Sequence, residues 1–529
     1  MNKNIALAVL SGLILAAAWP TYGVAVVIFA GFVPLLILEK KIRNSQLKKK
    51  GWKLLALSYL TFLFWNGLTT WWLWNSTIFG MLFAVLVNSL LMAFVFSTFH
   101  FVAKKFPRKI HLIYLPSVWL AFEQLHLKWD FSWPWLNLGN VFSEYYTLIQ
   151  WYEYTGVFGG SLWVWVVNIS LFVTVEHFLA KSPKKKLIYG SIRAIILIVI
   201  PISISLWLYN KEELAEKTAH VVVLQPNIDP YTEKYGRSNY ESLKDLLAIA
   251  GKHELGKTDF LIAPETTLAK LTSVDRLKAT QERIVINALT NQYTNLNFLV
   301  GADLFKLYRQ EEKPSPYANK TSRGDWAVLY NAAVFYNKNT FEVPYYIKSK
   351  LVVGVETFPF KNILEPVLGN VMLDLGGTVS VRAVQDERMV FTSINGDFKA
   401  APIICYESVY GEFVTDYIKK GANFLAIITN DGWWGNTQGH KQHLSYARLR
   451  AIETRKSIAR SANTGISAII NSKGDIVKQL GYEKKGSIAH DIAINNKVTF
   501  YVKHGDYIAR LGVLLAGFIL LFAIARKKG

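Results

Sequence analysis

The chain has 529 residues, 51% of them hydrophobic, a net charge of +21 and one cysteine. That length suits two substantial units, the lone cysteine excludes an intramolecular disulfide, and long apolar runs before residue 209 and after 507 exclude an ordinary soluble enzyme. The charge does not call for nucleic acid, because the gaps at 39–53, 104–110 and 181–187 and the tail Arg526-Lys527-Lys528 hold nearly all of the excess, each beside an apolar run.

A membrane span needs about 20 apolar residues. The runs near 5–19, 24–38, 54–74, 81–103, 110–124, 161–180, 187–209 and 507–525 predict about eight helices. Lys3 followed by an apolar stretch and Ala16-Ala17-Ala18 has the look of a cleaved leader, but a second apolar run follows at once and suits a retained helix. With the N-terminus inside, all four basic segments fall on the inner side, as the positive-inside rule requires. The expected layout is thus 1–209 as about seven spans, 210–506 as an outer domain, and 507–529 as a last span with a basic inner tail. Glu176, His177 and Arg193 lie near inner ends, so a transporter with ionisable groups buried mid-span is disfavoured. The stretch 125–160 carries Trp129, Phe131, Trp133, Trp135, Tyr145, Tyr146, Trp151, Tyr152 and Tyr154. Such a set predicts an interfacial belt, or the lining of a lipid path beneath the outer domain.

From residue 219, short β-branched runs alternate with helical patterns. His220–Leu224, Phe260–Ala263, Phe298–Val300, Ala332–Phe335, Pro402–Ile404, Phe424–Ile428 and Ile466–Ile470 read as strands; 239–252, 273–291, 408–420 and 440–457 read as helices. This predicts a layered α/β domain. The segment 307–328, with Pro314, Pro316 and Gly324, reads as a mobile loop. Glu265 follows Ile262-Ala263-Pro264, Lys348 follows Tyr345-Tyr346-Ile347 and Cys405 follows Pro402-Ile403-Ile404, three strand ends, where α/β sheets gather their sites. Singly they read as a solvated acid, a surface charge and a core thiol; it is their conjunction that matters.

The blocks Ala263-Pro264-Glu265-Thr266, Lys348 with Leu351, and Ile404-Cys405-Tyr406-Glu407 resemble the Glu–Lys–Cys triad of the nitrilase superfamily. Thr429–Gly435 and Arg448–Glu453 match it further downstream. Placed between seven spans and a final one, such a domain resembles the apolipoprotein N-acyltransferase family. Gln225-Pro226-Asn227-Ile228, the Lys348-to-Glu356 spacing and Ser132-Trp133-Pro134-Trp135-Leu136 agree with that family. Two departures stand out. Val352-Val353-Gly354-Val355-Glu356 replaces the family's Val-Pro-Phe-Gly-Glu, and Tyr235 takes the place of a tryptophan.

The resemblance implies a membrane α-helical bundle joined to a nitrilase-type αββα sandwich, on the periplasmic side of a bacterial inner membrane with both termini cytoplasmic. It implies a ping-pong acyl transfer, the last step of lipoprotein maturation. A phospholipid would give an acyl chain to Cys405 as a thioester, and the amine of an S-diacylglyceryl-cysteine at the N-terminus of an apolipoprotein would take it. Glu265 would be the general base and Lys348 the oxyanion stabiliser. A neighbouring ammonium is expected to lower the thiol pKa. Glu356 and Glu407 are expected to position Lys348 or the amine, Tyr406 to line the acyl pocket, and Trp433 and Trp434 to gate it. Tyr235, Trp133 and Trp135 are candidate lipid contacts. His440 and His443 lack a third metal ligand, so no metal or cofactor is expected, and the enzyme is taken as a monomer. The rival reading is a membrane-anchored nitrilase-type amidohydrolase, which would hand the acyl group to water.

Overall fold

The computed structural model describes residues 3–211, 217–309, 311–353, 355–357 and 381–526; Gly354, Lys527 and Lys528 lie outside them. The chain forms two compact units, Met1–Lys211 with His504–Gly529, and Glu212–Lys503.

In the first unit every predicted apolar run is helical. Among the described residues, Ile78–Ala103, Tyr152–Leu179, Lys184–Asn210 and Tyr507–Ala525 are long and apolar enough to cross a membrane, and Lys3–Ala17 is a shorter apolar helix. The remaining helices are more polar or shorter. Lys50–Thr70 includes Lys50, Lys53 and Asn66, and Arg108–Leu125 includes Arg108, Lys109, Glu123 and Gln124. The second run is broken at Phe32 into Ile28–Gly31 and Val33–Asn44. The break is held by Asn168, whose amide donates to the Ile28 carbonyl and accepts from the Phe32 N–H, both at 2.9 Å. The last helix packs on Arg108–Leu125 through small residues. A Cβ on Gly512 would come within 3.0 Å of the Leu120 Cβ, so any larger residue would have to push the neighbouring helix back by a few tenths of an ångström.

The aromatic stretch is not an open loop. It folds as 3₁₀ turns over Pro134–Leu136 and Leu138–Leu148 and then enters the helix Tyr152–Leu179, which starts before the predicted residue 161. Gly156, at φ +60°, kinks that helix and splits its apolar pattern. Trp135 and Tyr152 are core residues, whereas Tyr145 and Tyr154 are exposed.

The second unit contains strands β1 (Lys217–Gln225), β2 (Phe260–Ile262), β3 (Leu268–Ser273), β4 (Asn297–Tyr308), β5 (Ala318–Lys320), β6 (Trp326–Tyr336), β7 (Tyr345–Ile347), β8 (Phe391–Thr392), β9 (Lys399–Ile404), β10 (Phe424–Thr429), β11 (Ile458–Ala462), β12 (Ser467–Ile470), β13 (Ile476–Leu480) and β14 (Gly486–Ile494). One sheet runs β14-β1-β2-β4-β6-β5, with β3 on β4 and β7 on β6; the other runs β13-β12-β11-β10-β9-β8. Period-two alternation makes the layers. Ala219, Val221 and Val223 of β1 join the core between the sheets, while Val222 and Leu224 pack with the helices Asn239–Ala250 and Gln281–Gln292. Gly411–Lys419 and Gln438–Thr454 add Val414, Tyr417, Leu444 and Ala447 to the core of the second sheet. The result is an α/β sandwich with helical layers outside. β10, flanked by parallel β9 and β11, is buried throughout, which explains its unbroken apolar run Phe424–Ile428.

The predicted mobile loop at 307–328 is non-strand over most of its described residues but carries three short pieces of strand: the end of β4 at Tyr308, β5, and the start of β6. Ala318, Val328 and Ala383 form a small core there, ringed by Tyr308, Tyr317 and Trp326. Those scattered aromatics offset the proline and glycine signals. β3, β13 and β14 went unread because their charged and apolar residues mix without a clean run.

Candidate active site

Glu265 follows β2, where the chain leaves the sheet. Its approach depends on Gly301 of β4: a Cβ there would lie 2.6 Å from the Glu265 Cα and 2.4 Å from the Thr266 nitrogen. Lys348 leaves β7, and its N–H donates to the Asn331 carbonyl of β6 at 2.8 Å. Cys405 leaves β9 at φ +52°, a left-handed conformation costly for a residue with a Cβ. The chain thereby turns sharply from β9 into a 3₁₀ turn, Cys405–Val409.

All three side chains are buried, Cys405 at 7% exposed. Lys348 Nζ lies 2.9 Å from Glu265 Oε1 and 2.8 Å from Glu356 Oε2, so one ammonium serves two carboxylates. Burial alone would pull the Lys348 ammonium down, but Glu265 and Glu356 together hold it well above the usual lysine range. Burial would raise Glu356; Lys348 and then Arg382 outweigh it and hold that carboxyl below its usual value. Arg382 is itself paired with Asp303 at 2.5 Å.

Asn331, a lone polar residue in the apolar run of β6, completes this array. Its amide donates to Glu265 Oε1 at 2.8 Å and to Glu356 Oε1 at 3.0 Å. The Asn430 N–H donates to Glu265 Oε2 at 3.1 Å. Sequence reading missed Asn331, although an asparagine in a buried strand needs partners and was the available signal.

The thiol departs from expectation. Burial, reinforced by the Glu265 charge, pushes Cys405 far above the ordinary thiol range, and Lys348 only partly offsets it.

Glu407 does not touch Lys348. It accepts from the Tyr346 hydroxyl at 2.7 Å, the Ser349 N–H at 2.6 Å and the Ile404 N–H at 2.8 Å. It thus ties the segment on both sides of Lys348 to the residue before Cys405. As the third residue of its turn, its carboxylate folds back on the backbone. Burial raises its pKa to about 6, against the pull of those donors.

A second network holds the Cys405 backbone. His443 Nε2 lies 3.2 Å from the Cys405 carbonyl and 3.0 Å from Ser408 Oγ, and its Nδ1 is 3.0 Å from Asp431 Oδ1. Arg460 donates to Asp431 Oδ2 at 2.6 Å and holds that carboxyl well below its usual range despite burial. Cys405, Asp431 and His443 also bring thiol, carboxylate and imidazole atoms within 4.8 Å of one another. The Asp431 oxygens already accept from Thr429 and Arg460, and both His443 nitrogens face polar partners, so the arrangement reads as a support for the Cys405 backbone. His440 is not in the cluster; it packs on Tyr482 at 4.3 Å, and burial lowers its pKa to about 4.

Tyr406 is buried edge-on against Tyr410. Trp433 packs edge-on with Tyr231, and Trp434 with His443. Tyr235 is exposed beside Lys234. Trp133 and Trp135 belong to the helical unit, where they stack at 5.7 Å.

Comparison with known proteins adds two family matches. Residues 11–170 match the model described as apolipoprotein N-acyltransferase N-terminal domain, and residues 315–497 match that of carbon-nitrogen hydrolase. Lys348 and Cys405 fall inside the second match, and Glu265 lies between the two. The chain is similar along its whole length to the apolipoprotein N-acyltransferase of Chlorobaculum tepidum, at 28% identity over 100% of this chain and 98% of the relative. It is likewise similar to that of Geobacter metallireducens, at 25% over 100% and 96%. Among solved structures, an amidase from Nesterenkonia sp. aligns with 57% of this chain and 99% of its own, at 14% identity and a TM-score of 0.37.

Proposed function

The chain belongs to the apolipoprotein N-acyltransferase family and N-acylates lipoproteins, and from that premise we propose that Cys405, Glu265 and Lys348 perform the transfer from a phospholipid. The observation that supports this is a buried ammonium shared by two carboxylates, at strand ends that also deliver a strained, buried cysteine.

Glu265 has lone pairs beyond those taken by Lys348, Asn331 and Asn430, and one accepts the thiol proton as sulfur attacks the ester carbonyl. Lys348 offsets the charge on the tetrahedral oxyanion. On collapse the ester C–O bond breaks, Glu265 returns the proton to the leaving lysophospholipid alkoxide, and the acyl chain stays on sulfur. The acceptor's α-amine then attacks the thioester. Glu265 takes its proton and passes it to the departing thiolate, leaving an amide. A low-pKa resting thiolate is not required, which fits the direction in which burial shifts Cys405. Glu356 holds Lys348, and Glu407 fixes the distance between the lysine and cysteine segments. The enzyme is read as working without a metal or cofactor, as a monomer.

The four long apolar helices fit membrane insertion. We further infer that the shorter helices of the first unit complete about eight spans. The basic gaps then face the cytoplasm, and the α/β unit faces the periplasm of the inner membrane. Both lipid substrates would be presented there.

Purified enzyme in phospholipid vesicles, given a synthetic S-diacylglyceryl lipopeptide, is expected to yield a lipopeptide heavier by one acyl chain in amide linkage. Release of free fatty acid with an unmodified lipopeptide would defeat this reading in favour of an amidohydrolase.

A further inference from the structure

Beside the reacting groups lies a second buried lysine that the mechanism does not use. Lys234 is 6% exposed, and its Nζ donates to the hydroxyl of Thr266, the residue after Glu265. The ammonium also sits over two rings, 5.6 Å from the Tyr235 centroid and 5.8 Å from that of Trp433. Asp303, Glu265 and Glu356 are the acids whose charge reaches it. Each already has its own cation: Arg382 for Asp303, and Lys348 for the two glutamates. Among the described residues no carboxylate pairs with Lys234, and burial pulls it below the usual lysine range. A buried cation without a counter-ion is costly. An anion arriving with substrate removes that cost.

We propose that Lys234 binds the phosphodiester of the acyl donor, with Tyr231 and Tyr235 flanking it as exposed apolar contacts. This rests on the reading above, in which a phospholipid donates the chain. The chemistry separates the two substrates. The glycerol backbone sets a donor's phosphate a few bonds from the ester under attack, so a cation next to the general base can hold it. The acceptor carries no phosphate and presents an amine, which an ammonium repels. Lys234 thus favours the donor in the first half-reaction and gives the lysophospholipid's anionic head a place to be held until it leaves. Tyr231 is edge-on to Trp433 and bonds its carbonyl at 3.1 Å, so the rings around the ammonium form one packed group.

The test compares donors on the purified full chain. Acylation of native enzyme by phosphatidylglycerol should exceed that by diacylglycerol with the same chains. Lys234→Met should slow acylation by phosphatidylglycerol about ten- to hundredfold, as for loss of a charge-assisted hydrogen bond, and leave diacylglycerol within about threefold. Lys234→Arg should keep most of the preference. Equal loss with both donors would make Lys234 merely structural, and unchanged acylation would remove it altogether. Binding of short-chain phosphatidylglycerol to Cys405→Ser, with and without Lys234→Met, reads the phosphate contact without any acyl transfer. Weaker binding in the double variant supports the inference, and equal binding overturns it. A native protein that forms no adduct with any donor would instead sink the acyl-transfer reading.

Discussion

Asn331 offers a sharp test because its work is confined to two hydrogen bonds. Its amide reaches Glu265 at 2.8 Å and Glu356 at 3.0 Å, and both acids depend on the same Lys348 ammonium. Leucine is close in volume, so Asn331→Leu removes both donors without opening a cavity. A hydrogen bond to a charged group contributes about 1.5–3 kcal/mol. Losing two in a buried site therefore sets a ceiling of about 3–6 kcal/mol, divided between folding and reactivity. Glu265 keeps Lys348 and the Asn430 N–H, so the carboxylate stays in the site but is freer to rotate. About half of the ceiling is expected in the acylation barrier, a fall of roughly a hundredfold in single-turnover acylation at 1.36 kcal/mol per tenfold. The rest should appear as a lower midpoint of thermal unfolding. Acylation within about threefold of native, with unchanged stability, would refute the claim that Asn331 orients the two carboxylates.

Glu407 titrates at about 6 in the fold against an ordinary value of 4.5. Because the folded carboxyl binds its proton more tightly, its contribution falls as pH rises from 4.5 to 6, by about 2 kcal/mol in all. The difference in unfolding free energy between native and Glu407→Gln should show that slope, and a flat difference would contradict it. Arg460→Met leaves Asp431 buried without its guanidinium and should destabilise the α/β unit by about 3–5 kcal/mol, partly recovered by adding Asp431→Asn; a loss below about 1 kcal/mol would mean the pair is not buried as described. Since Cys405 is the sole cysteine, Cys405→Ser provides a cysteine-free chain. In that background Lys313→Cys, exposed on the α/β unit, should react with an impermeant maleimide in cells whose outer membrane alone is opened; labelling only after full lysis would reverse the proposed topology.

What the sequence made legible follows from where the physics is local. The apolar runs fixed all the helices of the first unit to within a few residues, except where Asn168 breaks one and Gly156 kinks another. Those exceptions depend on a partner far along the chain or on a single φ angle. Glu265, Lys348 and Cys405 were legible because each interrupts the end of an apolar strand. Their supports were not. Asn331, Lys234, Asp431 and Arg460 matter through contacts that only the folded chain creates, between residues far apart in sequence. Glu407 shows the same limit: its position two residues from Cys405 was readable, but its three backbone and tyrosine partners were not.

The most direct measurement is the mass of purified enzyme mixed with a chain-labelled phospholipid and no acceptor. The account predicts one acyl chain added, mapped to Cys405, released by neutral hydroxylamine, discharged to an amide by an S-diacylglyceryl lipopeptide, and absent from Cys405→Ser. An adduct that persists in Cys405→Ser, or acylation of the lipopeptide with no adduct on the native protein under any loading, would contradict it.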